Sequence, residues 1–125
     1  MHGIGIVLAV LLALAIIVIG ALYLVSPRAT ASGFGLPLPE DGPNIAWWLR
    51  LKGVRDLVSG LLVLALMAWS GLRPVGLILF VYSLIPIGDM LMILAAKGST
   101  KRAFGVHGVT ASLMILAAFL LTWDA

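Results

Sequence analysis

Polar positions along this chain are few and bunched. Residues 4–25 carry no charge. At 1.5 Å per residue such a helix covers about 33 Å, enough for a hydrocarbon core of ~30 Å. Residues 26–44 then collect Pro27, Pro37, Pro39, Pro43, Gly33, Gly35 and Gly42, a composition that predicts a loop. Within it Phe34-Gly35-Leu36-Pro37 reads as an interfacial dip. Asn44 is placed to cap a second helix over about 45–69, with Trp47 and Trp48 as interface anchors. A third helix is expected over 75–96 and a fourth over 103–123, where Trp123 anchors the far side. The whole chain, 1–125, reads as one all-α membrane domain of four transmembrane helices in a compact bundle, with no internal repeat and no low-complexity segment. A rival reading makes the first helix a signal peptide cut near Ala29-Thr30-Ala31. The leading Met-His-Gly has no Lys or Arg and the apolar run is long, which favours a retained span.

The charges sharpen this picture because two of the helices cannot span without them. From Leu57 to Leu72 the second helix offers sixteen uncharged residues, about 24 Å. That falls short of the membrane, so the turn carrying Arg55 and Asp56 is drawn inside. The third helix is uncharged from Pro74 to Gly88 and again from Met90 to Ala96. Neither half spans alone, which places Asp89 inside as well. Pro86, just before it, should kink the helix or free a carbonyl. The fourth helix has His107 in its first turns.

Composition agrees. The chain is 62% hydrophobic and 10% charged, with mean hydropathy +1.19, against roughly 25% charged residues in soluble domains. A net charge of +3 without a basic stripe excludes a nucleic-acid partner. The absence of cysteine excludes disulfides, thiol redox chemistry and Fe–S ligation. His2 and His107 alone argue against a bis-histidine haem or a zinc site, so no metal and no cofactor is expected.

Four spans put Arg28, Arg50, Lys52, Lys97, Lys101 and Arg102 on one side, and Arg73 alone on the other. The positive-inside bias therefore predicts cytoplasmic first and third loops and both termini outside. In this arrangement Arg55 lies about 12 Å past Trp47, Asp89 about 12 Å before Lys97, and His107 about 7 Å past Arg102. Tyr23 ends the first helix on the same side. Four segments thus converge on one depth, and buried charges there should face inward and pair. Asp56 can reach Lys52 one turn back, and Arg55 can reach Asp89. Tyr82 shares the face of Asp89, and Thr110 follows His107 by a turn. The inner Arg55, Asp56, Asp89 and His107 sum to −1 with neutral imidazole. Balance requires a protonated carboxyl, a protonated imidazole, help from Lys52 or a cationic guest. Gly53 with Gly60, and Gly105 with Gly108, would allow close helix packing.

Each residue also has a plainer role. Arg50 and Lys52 can snorkel to the interface, Arg55 and Asp89 can be a structural ion pair, and Asp56 can neutralise Lys52. His107 can bond a helix end, Tyr23 and Tyr82 can pack, and Met90, Met92 and Met114 can fill the core.

The motifs Phe34-Gly35-Leu36-Pro37, Lys52-Gly53-x-Arg55-Asp56-x-x-x-Gly60, Pro86-x-Gly88-Asp89 and His107-Gly108-x-Thr110-Ala111 resemble a family of small four-helix membrane proteins known as a domain of unknown function. The resemblance covers nearly the whole chain. It implies the fold and makes Arg55, Asp56, Asp89 and His107 part of a family pattern, and it implies no activity. In architecture alone the chain is also similar to other four-span folds, including small membrane isomerases.

Three functions are compatible with these residues. The first is an intramembrane site that binds a lipophilic small molecule and acts on it by acid–base chemistry, as an isomerase, cyclase or hydrolase. Asp89 or His107 would be acid or base, Arg55 would position the acids or hold an anionic group, and Asp56 would complete the catalytic set. Tyr82, Lys52, Tyr23 and Thr110 would contact the ligand. The second is a structural or assembly subunit, and the third a small proton-coupled transporter. The expected partners are the lipid bilayer, a lipophilic molecule and, for the transporter, further copies of the chain.

Overall fold

The computed structural model describes residues 1–123, which are helical apart from one long connection over 32–44 and several short ones, with no strand among them. The elements are α1 (His2–Val25), α2 (Pro27–Ala31), α3 (Ile45–Trp69), α4 (Leu72–Tyr82), α5 (Leu84–Ala95), α6 (Thr100–Arg102), a π-helical turn (Ala103–Gly108) and α7 (Val109–Thr122). Three helical stretches are long and apolar enough to cross a membrane: His2–Val25, Leu72–Ala95 and Thr100–Thr122. With 25 residues α3 is as long, but Lys52, Arg55 and Asp56 set it apart in charge.

The third helix predicted over 75–96 starts earlier, at Leu72, and is interrupted at Ser83. The cause is Pro86, which has no N–H to offer the Tyr82 carbonyl and whose ring crowds that carbonyl. Around the break Ser83 compensates. Its N–H bonds the carbonyls of Leu79 at 2.9 Å and Phe80 at 3.3 Å, and its hydroxyl donates to Phe80 O at 2.6 Å. The fourth helix also starts early, at Thr100, because the Ser99 hydroxyl accepts from Arg102 N at 3.2 Å and caps it.

α1 is the central helix. Gly5, Ala9, Ala13 and Gly20 are buried along one side of it, leaving a smooth surface on which backbones approach closely. A Cβ on Gly53 would lie 2.7 Å from Gly20 O, and one on Gly60 would lie 2.6 Å from Ala13 O. Both glycines of α3 therefore serve the packing their spacing predicts. The fourth-helix pair does so only in part. Gly108 packs against Met90 Sδ, whereas a Cβ on Gly105 would meet nothing within 4 Å.

The first and last described residues come together at one end of the bundle, where His2 Nε2 lies 3.0 Å from Trp123 O. The 26–44 and 96–102 loops meet at the other, where Arg102 donates to Gly33 O at 2.7 Å. The dry core, with Ala9, Ala13, Val63, Val75, Leu79, Ala117, Ala118 and Leu121, occupies the half nearer the chain ends. Among the described residues α3 packs on α1, α2 and α4 but not on α5 or α7. That unfilled gap shapes the site.

Candidate functional site

In the loop-side half the helices part around a cavity of about 290 Å³. Its walls come from α1, α3, α4, α5, the π-helical turn, α7, the connection over 32–44 and α2, a short helix where a loop is predicted. Tyr23, Lys52, Asp56, Tyr82, Asp89, His107 and Thr110 all line it, so seven of the residues predicted from spacing stand together. The deep end is apolar, with Leu12, Ala13, Val63, Leu79 and Met114. From Leu12 to Tyr23 the α1 wall runs about 16 Å.

His107 is buried and held on both sides. Its Nε2 lies 2.8 Å from Phe34 O, its ring packs on Phe34 at 4.5 Å between centroids, and its Nδ1 lies 3.6 Å from Asp89 Oδ2. Because a carbonyl oxygen only accepts, Nε2 carries the hydrogen of that bond. Nδ1 is left to face Asp89, and the pair can hold a single proton on either partner. At 3.6 Å the contact is an ion-pair distance, longer than a hydrogen bond. Transfer requires closure by about half an ångström or a substrate group touching both. The π-helical turn is what swings His107 into place, an irregularity frequent at functional sites.

Across the cavity Lys52 Nζ donates to Asp56 Oδ2 at 2.6 Å. It also sits 4.4 Å from the centre of the Tyr23 ring and 5.2 Å from that of Phe34. The predicted Lys52–Asp56 pair is thus present, and Lys52 belongs to the cavity and not to the rim. Arg50 does sit at the rim, donating to Leu24 O at 3.1 Å and lying over Trp47. Thr110 returns its hydroxyl to Val106 O at 2.7 Å.

Arg55 is the exception. It is exposed, does not line this cavity, and forms no pair with Asp89, whose partner is His107. The cause is rotational. Asp56 faces the cavity, so Arg55, about 100° away on the helix, turns to the side where α5 fails to meet α3. There it lines a second, more open cavity of about 420 Å³ with Trp48 and Leu51, and that cavity shares Lys52, Asp56, Ser59, Ile85 and Asp89 with the first.

Phe34 is the site residue that spacing alone did not assign. The loop around it is clamped by three consecutive carbonyls: Gly33 O accepts from Arg102, Phe34 O from His107, and Gly35 O from Ser99 N at 2.9 Å. Gly35 holds φ at +112°, and a Cβ there would lie 3.0 Å from Arg102 Cβ. The Phe-Gly-Leu-Pro signal was visible, but its docking point was not. Ser59, one turn after Asp56, also lines the cavity.

A family model described as a domain of unknown function (DUF4267) matches residues 13–121. The chain belongs to that family. The matched region of this DUF4267 protein takes in every cavity residue named here except Leu12. No curated protein and no solved structure matches the chain. Among the described residues no group of three or more His, Asp or Glu side chains is placed to hold a metal ion.

Proposed function

We propose that this DUF4267 protein crosses the bilayer four times, with α3 as the fourth span, and binds a lipophilic small molecule in the cavity. The observation that carries this reading is the cavity's polarity gradient. Tyr23, Lys52, Asp56, Asp89 and His107 gather at one end, and an apolar slot extends from them toward the middle of α1. Its volume is near the lower end of ordinary small-molecule pockets, roughly 300–1,000 Å³. A guest of this shape would place a polar group among the charged residues and a hydrocarbon portion against Val63, Leu79 and Met114. The Asp89–His107 pair would then give a proton to that polar group or take one from it. Isomerisation, ring closure and hydrolysis all run on such transfer without a redox centre. The charge bias orients the first and third loops to the cytoplasm.

The test is retention. Wild-type protein purified in mild detergent should carry an apolar small molecule detectable by mass spectrometry after extraction. Met114→Trp, which fills the deep end, should lose it. Protein that carries nothing, or a Met114→Trp variant that carries as much, would end this reading.

A further inference from the structure

The two cavities have a common wall, and what opens them to the surroundings is the missing contact between α3 and α5. Lys52, Asp56, Ser59, Ile85 and Asp89 belong to both. The outer cavity therefore lies directly beside the inner one, with these side chains between them. The exposed surface at and around it is apolar: Trp48 and Leu51 line it, and Val54 and Val58 stand exposed on the same helix.

In that apolar surface stands Arg55. Arg28 pairs with Asp41, Arg50 donates to Leu24 O, and Arg102 donates to Gly33 O. Neither Arg55 nor Arg73 has an acceptor among the described residues; Arg73 stands exposed in the first turn of α4, away from both cavities. The two carboxylates nearest the cavity of Arg55 are already engaged, Asp56 by Lys52 and Asp89 by His107. A guanidinium about 12 Å down the helix from Trp47 is costly in a bilayer unless an anion meets it.

We propose that Arg55 marks a lateral portal between α3 and α5 for an anionic amphiphile, a phosphate or carboxylate carried on a hydrocarbon chain. The head rests on Arg55, the chain lies along Ser59 and Ile85, and a sideways move carries the head from Arg55 toward Lys52. This names the ligand class for the inner cavity and rests on that reading. Arg55 is the receiving group, and Asp56 and Asp89 form the threshold.

Trp48 lines the outer cavity and reports on it. With Trp47, Trp69 and Trp123 replaced by Phe, its fluorescence reads the portal in lipid nanodiscs. Brominated phosphatidylglycerol should quench it more than brominated phosphatidylcholine, reflecting roughly fivefold enrichment of anionic lipid beside one Arg. Arg55→Gln should abolish the preference and Arg55→Lys should keep part of it. A brominated fatty acid in phosphatidylcholine discs separates the sources: quenching by it alone assigns a free single-chain amphiphile, and quenching by the anionic phospholipid assigns a bilayer lipid. Equal quenching by all three in the unmodified site overturns the proposal. So does a preference that survives Arg55→Gln, the outcome if the side chain only snorkels. A Trp48 preference lost with Arg55→Gln, together with an unaffected Met114→Trp protein, would sink the inner-cavity reading while leaving Arg55 as a headgroup site.

Discussion

Replacing Asp89 by Asn and by Leu separates the two things that Asp89 does. His107 Nε2 is committed to Phe34 O at 2.8 Å, so Nδ1 depends on position 89 for a partner. The imidazole has little alternative, since its side chain is only 10% exposed. In Asp89→Asn the amide can still donate to Nδ1, and the fold should be retained. In Asp89→Leu that nitrogen loses the carboxylate 3.6 Å away, and because Nδ1 is not fully enclosed the cost is about 0.5–1.5 kcal/mol. The Leu variant should therefore unfold more easily than the Asn variant by that amount in mixed-micelle denaturation. Neither can pass a proton, so any turnover should fall by roughly 10²–10⁴ in both. The assignment beneath this is directly measurable. His2→Gln leaves His107 as the sole histidine, and nitrogen NMR of the labelled protein at neutral pH should show hydrogen on Nε2. An imidazole with hydrogen on Nδ1 and a bare Nε2 would refute the reasoning. Equal stability of the Asn and Leu variants would do the same.

Two further outcomes are expected. Gly53→Ala should be less stable than Gly88→Ala by about 1–3 kcal/mol. The helix-propensity gain is shared, but a Cβ at 53 meets Gly20 O at 2.7 Å whereas one at 88 meets nothing within 4 Å; equal unfolding in mixed micelles would discount the α1–α3 contact. An epitope tag at the C-terminus should be accessible on intact cells, and accessibility only after permeabilisation would reverse the orientation.

Grouping was legible in the sequence and azimuth was not. Counting rise along each helix aligns Asp56 and Asp89 with His107 and Tyr23, and those four side chains line one cavity. Which way each side chain points depends on which helices touch. Arg55 was expected to meet Asp89 because a compact bundle was assumed; α3 leans on α1 instead, and the arginine faces the gap. The break at Ser83 follows from Pro86, a local cause that sequence displays. The π-helical turn leaves no such trace, although it sets the direction of His107. Nor does composition say that the loop folds back so that its Phe34 carbonyl meets His107, a contact more than seventy residues away in the chain.

The same details bear on which function these groups serve. A proton-coupled transporter needs polar groups to continue across the bundle, yet beyond Ser59 and Tyr82 the cavity ends on Leu12, Ala13, Val63 and Leu79, part of or packed against the dry core. A purely structural set of charges would satisfy itself pairwise. Lys52–Asp56 and Asp89–His107 come close to doing so, but Tyr23 does not fit. It is 2% exposed, and its hydroxyl has no hydrogen-bond partner among the described residues. No fully enclosed side-chain polar atom there lacks a partner, so this hydroxyl opens onto the cavity it lines. A phenol kept at a cavity wall beside a lysine is a donor free to meet an acceptor in the cavity, and that supports the proposed ligand more strongly than the charges do. Tyr23→Phe tests the point: it removes the donor without breaking a bond within the protein, so it should weaken retention of the bound molecule and leave stability unchanged.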